Sequence, residues 1–228
     1  MYGKYHLIKK QYSWDSGVTW YDSDPLETMP SGSPISIYET YEKCIEEAPK
    51  FIFTKTDSTV ASAACNSSSV LASSEVSSYS YGYTSLEIGD CVTSIADWAM
   101  PFFALSSVTI SDSVTSIGNY AFFNCNNITS VTFGNSVETI GNSAFQNDQH
   151  ILSVNLPNTV TSIGSSAFQN CDNLSSVICK ATTPPTLRSD VFANTSSNLV
   201  IYVPSGSVNT YKSTSGWSSY SSRIRAIP

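Results

Sequence analysis

Few side chains in this 228-residue chain are equipped for acid–base or metal chemistry, and they can be weighed one at a time. The histidines are His6 and His150. No H-E-x-x-H pair sets two imidazoles on one helix face for a metal ion. Serine is abundant, but no G-x-S-x-G elbow exposes a nucleophile beside a base. His150 falls at a turn between two similar segments, where a surface role is expected. The stretch YETYEKCIEEAPK (38–50) spaces Glu39, Glu42, Glu46 and Glu47 as on a helix, with Tyr38, Tyr41 and Ile45 on its other face. Paired carboxylates can cleave a glycoside, yet a solvated helix face is the expectation here. The segment DSDPLE (22–27) gathers acids without the spacing of a calcium loop. The cysteines are Cys44, Cys65, Cys91, Cys125, Cys171 and Cys179, with no C-x-x-C among them, so neither zinc nor redox chemistry is expected. No glycine-rich phosphate loop occurs. The expectation is therefore a non-enzymatic protein with no catalytic residue, no metal site and no cofactor.

Charge narrows the partners. Only 13% of residues are charged, about half the usual share, and the net charge is −7. Serine, roughly a fifth of the chain, supplies the polar surface instead. From Trp98 onward acids and bases balance, so the excess negative charge lies in the first 97 residues. The arginines are Arg188, Arg223 and Arg225, all late in the chain. Phosphate backbones need many more cations than this, and no nucleic-acid partner is expected. No apolar run of 18 residues occurs, so no membrane insertion is expected either. The opening residues MYGKYHLIKKQYSW lack the apolar stretch and cleavage site of a signal peptide.

The elements that must position these residues follow from a repeat. Three blocks align without gaps at a period of 23: LSSVTISDSVTSIGNYAFFNCNN (105–127), ITSVTFGNSVETIGNSAFQNDQH (128–150) and ILSVNLPNTVTSIGSSAFQNCDN (151–173). A shorter copy begins near Leu86 and a decaying one at Leu174. Within a block, Val108 and Ile110 alternate with Ser107 and Thr109, the pattern of a strand with one buried face. Val114 and Ile117 make a second apolar pair. Gly118, Gly141 and Gly164 share one position, where a tight turn without a Cβ is expected. Phe122, Phe145 and Phe168 share another and should form an aromatic column. One block cannot bury these residues alone, but stacked blocks can, with parallel strands about 4.8 Å apart. Cys125 and Cys171 then lie two coils apart, about 10 Å, with Asp148 between them, too far for a disulfide. Both are expected to be small core residues. A Cys44–Cys65 or a Cys65–Cys91 bridge remains open.

Stacking has consequences for the surface and for the ends. Ser107, Ser130 and Ser153 form one outward row, and Thr109, Thr132 and Asn155 another. These six residues are the candidate ligand-binding set. The strand LVIYV (199–203) is expected to add to the sheet edge, with Pro204 and the polar segment after it ending further pairing. Residues 50–76 are expected to form the opposite cap as strand, turn, strand and a short helix from about Ser68. The expected organisation is a small β-rich module (1–48), an N-terminal cap (49–83), repeats (84–203) and a C-terminal cap (204–228). The fold class is mostly β, a solenoid of about 23-residue coils combining parallel strands with short helical turns.

The pattern L-x-S-V-T-I-x-x-S-V-T-S-I-G-x-x-A-F-x-N-C, with the closing TPPTL…IYVPSGSVNTYKSTSGW, resembles the BspA-type leucine-rich repeat over roughly residues 84–220. The resemblance implies a bacterial surface-associated or secreted protein whose repeats serve adhesion to a protein or glycan ligand. An extracellular or surface location is expected, with no signal peptide visible in this chain. A second motif, SWDSGVTW (13–20), matches the S-x-D-x-G-x-T-W pattern called an Asp-box in sialidases. An Asp-box is a turn device, not the catalytic apparatus, which needs an arginine cluster absent here. A hairpin tip at Asp15–Gly17, flanked by strands over KYHLIKKQYS and TWYDSD, is the expectation. Such a module at the front of the chain leaves an alternative: a structural spacer, for example in a phage tail, docking into a larger assembly through residues 1–48.

Overall fold

The computed structural model describes residues 5–13, 36–43, 49–64, 68–79 and 82–228. The chain divides into two compact units, Met1–Glu47 and Ala48–Pro228. In the first, Tyr5–Ser13 and Ser36–Lys43 pair antiparallel, with a register shift between Leu7 and Lys9. As far as Lys43 this overturns the helix expected over 38–50; residues 44–48, with Ile45, Glu46 and Glu47, lie outside the described residues. The segment is a strand to Lys43, and Pro49 opens another. Its Tyr, Ile and Thr content favours a strand, and the register sets Glu39 opposite Lys10 and Glu42 opposite His6. The strand Tyr5–Ser13 therefore takes Ser36–Lys43 as a partner. The expected hairpin tip at Asp15–Gly17 and the strand after it lie outside the described residues.

The second unit is a solenoid. Ser107–Thr109, Ser130–Thr132, Ser153–Leu156 and Ser176–Cys179 pair in parallel, with Ser107, Ser130, Ser153 and Ser176 in one register row. A second sheet stacks two-residue strands, among them Ser116–Ile117, Thr139–Ile140 and Ser162–Ile163. A third set of hydrogen bonds closes each coil: the amides of Tyr120, Phe122 and Asn124 donate to the carbonyls of Asn142, Ala144 and Gln146 at 2.8–2.9 Å. Every side of a coil is thus tied to the next. Buried between the sides run Val108, Val131, Val154 and Val177, and on the second strand Ile117, Ile140 and Ile163. The phenylalanines stack as expected. Ring centroids are 5.1 Å apart for Phe122–Phe145, 5.4 Å for Phe145–Phe168 and 5.8 Å for Phe168–Phe192.

The repeated glycines have a different cause from the one expected. Neither Gly118, Gly141 nor Gly164 has a positive φ. A Cβ on Gly141 would instead meet the carbonyl carbon of Gly118 at 2.5 Å, and one on Gly164 the amide nitrogen of Asn142 at 2.5 Å. The coils touch backbone to backbone at this position. The left-handed turns fall on other residues, among them Tyr120, Ser143, Ser166, Asn124, Asn147 and Asn170.

Serine and threonine also serve the stack. The hydroxyls of Thr115, Thr129, Thr161 and Ser175 donate to carbonyls of the preceding coil, Thr93, Ser106, Glu138 and Leu152, at 3.1–3.3 Å. Asn119 and Asn142 do the reverse, their side-chain oxygens accepting from the amides of Asn142 and Ser165 at 2.8 Å. Part of the unusual composition is therefore internal wiring.

Both ends are capped. Pro49–Lys55 and Val60–Ala64 form an antiparallel hairpin, and Pro49–Lys55 runs antiparallel to Tyr83–Ile88. Two strand-forming residues, Val70–Leu71, precede the helix, which spans Ser73–Val76 and starts later than expected. Lys50 is buried and its ammonium meets Glu75 at 2.6 Å, while the second Glu75 oxygen accepts the Ala72 amide at 3.1 Å. At the other end Pro204 does not stop the sheet. After a helix (Val208–Ser213) and a 3-10 segment (Trp217–Arg223), Ile224–Ala226 pairs parallel with Ile201–Val203. Pro204 breaks the chain direction only locally, and the polar linker brings one more strand back. Tyr211 and Trp217 plug this end, donating to the carbonyls of Ala181 and Pro185 at 2.7 Å.

Candidate functional site

The solenoid brings the six sequence-predicted residues together. Ser107, Ser130 and Ser153 stand in one register row of the long sheet, and Thr109 pairs with Thr132 in the next. Asn155 follows on Ser153–Leu156, opposite Ile178. Ser107 is half-buried; the other five are exposed. They alternate with buried valines, so the pleat itself turns them outward.

Two hollows cross this face. The larger, about 520 Å³, is lined by Thr109 and Thr132 together with Glu87, Asp90, Asp112 and Phe133. The smaller, about 270 Å³, takes in Ser130, Thr132, Ser153, Asn155 and Lys180. Thr132 belongs to both, so they run on from one another along the axis. The face is acidic toward the N-terminal coils and carries Lys180 toward the C-terminal ones. Sequence reasoning passed over Glu87, Asp90, Asp112 and Lys180. Glu87 stands in the register row of Thr109 and Thr132, and Asp90 and Asp112 share one repeat position with Asn135 and Asn158, so the recurring signal was present for these three; Lys180 sits at the decaying margin of the repeat.

The groups whose proton affinity is displaced furthest lie inside the coils and the cap rather than on this face. Burial pushes the thiols of Cys125 and Cys171 up, and the Asp148 carboxylate adds to both shifts. The Cys125 thiol donates to Met100 O at 3.1 Å and that of Cys171 to Phe145 O at 3.2 Å, so both act as small core residues, as expected. Asp148, fully buried between them, is pushed well above the ordinary carboxylate range by desolvation. Burial likewise raises Cys179 in the strand Ser176–Cys179 and Tyr211 in the C-terminal cap. Cys125, Cys171 and Cys179 are free and Cys91 is disulfide-bonded; Cys44 and Cys65, on which the alternative Cys44–Cys65 and Cys65–Cys91 bridges depend, lie outside the described residues. His150 lies in the turn expected for it and its Nδ1 bonds the Asn126 carbonyl. Among the described residues, no cluster of three His, Cys, Asp or Glu side chains could hold a metal ion. Nor is any helix among them long and apolar enough to cross a membrane.

Parallel strands stacked in 23-residue coils, with recurring apolar positions filed inward, define a leucine-rich-repeat solenoid. The profile of the BspA type leucine rich repeat region matches residues 73–200 in 6 copies, and the chain belongs to that family. A leucine rich cell surface protein from Faecalibacterium prausnitzii shares the fold, with a TM-score of 0.54 and 23% identity over 75% of this chain and 43% of that one. Similarity also extends to the T. pallidum leucine rich repeat protein TpLRR, at 26% identity and a TM-score of 0.40, covering 49% of this chain and 62% of that one. This chain thus spans less than two thirds of the length of either. No curated protein matches it.

Proposed function

We propose that the chain is a non-enzymatic adhesion module that binds an extended segment of a partner protein along the row Ser107, Thr109, Ser130, Thr132, Ser153 and Asn155. Leucine-rich-repeat proteins are typically non-enzymatic binding modules, which supports the class. The observation that carries the site is the pair of adjoining hollows over five of these residues, Thr109, Ser130, Thr132, Ser153 and Asn155, with Thr132 in both. Short hydroxyl and carboxamide groups in register offer donors and acceptors at a regular spacing, which suits an extended chain better than a compact one. The acidic and basic ends of the face would fix the direction of the bound segment. A cell-surface location would match that of the F. prausnitzii protein, itself a cell surface protein. No observation favours the alternative of a phage-tail spacer.

The test is the triple substitution Thr109→Lys, Thr132→Lys and Asn155→Lys, assayed on a panel of immobilised extracellular-matrix proteins. All three side chains are exposed, so the variant should keep its circular dichroism spectrum and lose binding. Affinity unchanged from the parent would remove this face from consideration.

A further inference from the structure

A second surface departs from the repeat. On the side of the coils closed by left-handed turns, two positions recur with positive φ. The first is held by Trp98, Tyr120, Ser143, Ser166 and Asp190, the second by Phe102, Asn124, Asn147, Asn170 and Asn194. In the later coils these positions are polar and wired together: Asn170 and Asn194 donate to Asn147 and Asn170 at 2.7 and 2.9 Å. Beside them Gln146 donates to Gln169 at 2.7 Å. In the first two coils the same surface carries Trp98, Phe102, Tyr120 and Phe123 instead.

These four rings form one cluster. Trp98 lies flat on Tyr120, centroids 4.2 Å apart and planes 7° from parallel. Phe123 meets Trp98, Phe102 and Tyr120 edge-on at 5.9, 5.6 and 5.7 Å. Yet Trp98 is 45% exposed and Phe102 64%. Large aromatics are a poor choice for left-handed backbone, where Asn is tolerated far better. Strain of this kind, held in place by surrounding structure, gathers at functional positions. The backbone is indeed held: the amides of Trp98, Phe102 and Tyr120 donate to Asn119, Phe123 and Asn142 of the following coil at 2.8–2.9 Å. The backbone beneath the rings is thus tied down before any partner arrives, and holding a site in its bound arrangement lowers the entropy cost of binding.

The rim of the platform indicates the partner. A hollow of about 250 Å³ opens at its edge, lined by Phe102, Phe103, Ala104, Asn124, Asn126 and Asn127. That is below the roughly 300–1,000 Å³ of a pocket for a whole small molecule, so it suits one ring of a longer ligand. Residues 97–104 and 119–127 contain no lysine or arginine. Their one acid, Asp97, already accepts the Asn119 amide at 2.7 Å and its carboxamide at 3.0 Å. Within these two segments no lysine or arginine waits for a carboxylate or sulfate and no free carboxylate waits for an ammonium group; the ring nitrogen bonded to the rim, His150 Nδ1, is engaged by the Asn126 carbonyl. Uncharged carboxamides, which both donate and accept, border exposed aromatic faces. A pyranose has the matching chemistry: apolar C–H faces that lie on aromatic rings, edged by hydroxyls that both donate and accept. We infer that the cluster Trp98, Phe102, Tyr120 and Phe123, with the Asn124, Asn126 and Asn127 rim, binds a neutral polysaccharide. This goes beyond the proposed protein-binding row and uses another side of the coil.

The experiment is affinity electrophoresis of the full chain through gels containing starch, a β-glucan, mannan or galactan, with heparin as the charged control. Variants carry Trp98→Ser, Phe102→Asn or both, residues the later coils already hold at these positions, so folding should survive. At least one neutral polysaccharide should retard the parent chain while heparin does not. Each single variant should weaken that retardation, and the double variant should raise the apparent Kd about tenfold or more, as for loss of a binding hot spot. The Thr109, Thr132 and Asn155 lysine variant should be retarded like the parent, which separates this inference from the protein-binding row. No retardation by any of the four gels overturns the inference, as does retardation unchanged in a folded double variant. Loss in the double variant of matrix-protein binding or self-association, without polysaccharide retardation, overturns it in favour of a protein-docking surface.

Discussion

Asp148 shows how far a single residue can depart from its repeat. Cysteine fills the equivalent position in the coils on either side, as Cys125 and Cys171. One Asp148 oxygen accepts the Cys125 amide at 2.7 Å; the other meets no hydrogen-bond partner among the described residues. The titratable groups facing it are the two thiols, themselves held protonated by burial, with Asp172 acting on Cys171. Desolvation therefore keeps Asp148 neutral well above the pH at which it ionises in an unfolded chain. Below about pH 4 both states are protonated and the residue contributes no pH dependence. Above that, the unfolded chain releases the proton while the folded chain retains it, so stability falls as pH rises toward the folded pKa. The slope is at most about 1.4 kcal/mol per pH unit. Denaturant melts at pH 5 and pH 7 should show the parent less stable at pH 7. Asp148→Cys should shrink that difference, and an identical pH dependence in the variant would show that other groups carry it.

At the scale of the element, the close approach of successive coils makes a sharp prediction. Gly141→Ala puts a methyl 2.5 Å from Gly118 backbone and should cost about 1–3 kcal/mol or more, read as a lower denaturant midpoint. Gly206→Ala, with nothing within 4 Å of its Cβ, should be neutral or slightly stabilising. Equal effects would mean that chain flexibility, not contact, explains the glycines. The recurring glycine was legible in the sequence because identical spacing flagged it; its reason was not, because periodicity cannot report how near the adjacent coil's backbone comes. The same limit explains the helix expected over 38–50, which is a strand as far as Lys43. Its acids are spaced for a helix, but a strand pairing with Tyr5–Ser13 supplies hydrogen bonds that no local pattern reveals. The C-terminal strand Ile224–Ala226 was missed likewise, since three residues after a polar linker carry too short a pattern. The six-residue row was legible because it alternates with valines. The aromatic cluster was not singled out, although its signal was present: rings standing where the later blocks have Ser, Asn and Gln.

For the molecule as a whole, stability is distributed along one axis. Each coil touches only its neighbours, so a lesion in the middle removes contacts on two sides and one at the end on fewer. Phe145 stacks on Phe122 and Phe168 with planes 9° and 1° from parallel. Phe145→Ala should cost about 3–5 kcal/mol as a cavity in this column. Phe122→Ala, at the end of the file where Phe145 is the one ring stacked on it among the described residues, should cost less. Chemical denaturation of both variants checks this, and equal losses would indicate that the stack unfolds without regard to position along it.

The 23-residue register of the middle coils has an evolutionary corollary. Excising 128–150 would splice Asn127 to Ile151 and bring two like surfaces into apposition, with the sheet rows still in phase. Length can thus change by whole modules without redesign of any junction. That freedom meets one chemical constraint: the lost module is the insulator between two sulfhydryls. Cys125 and Cys171 would become neighbours about 4.8 Å apart, inside the range in which oxidation can join them. The buried acid thus marks the one module whose loss would bring two inert core thiols within crosslinking distance.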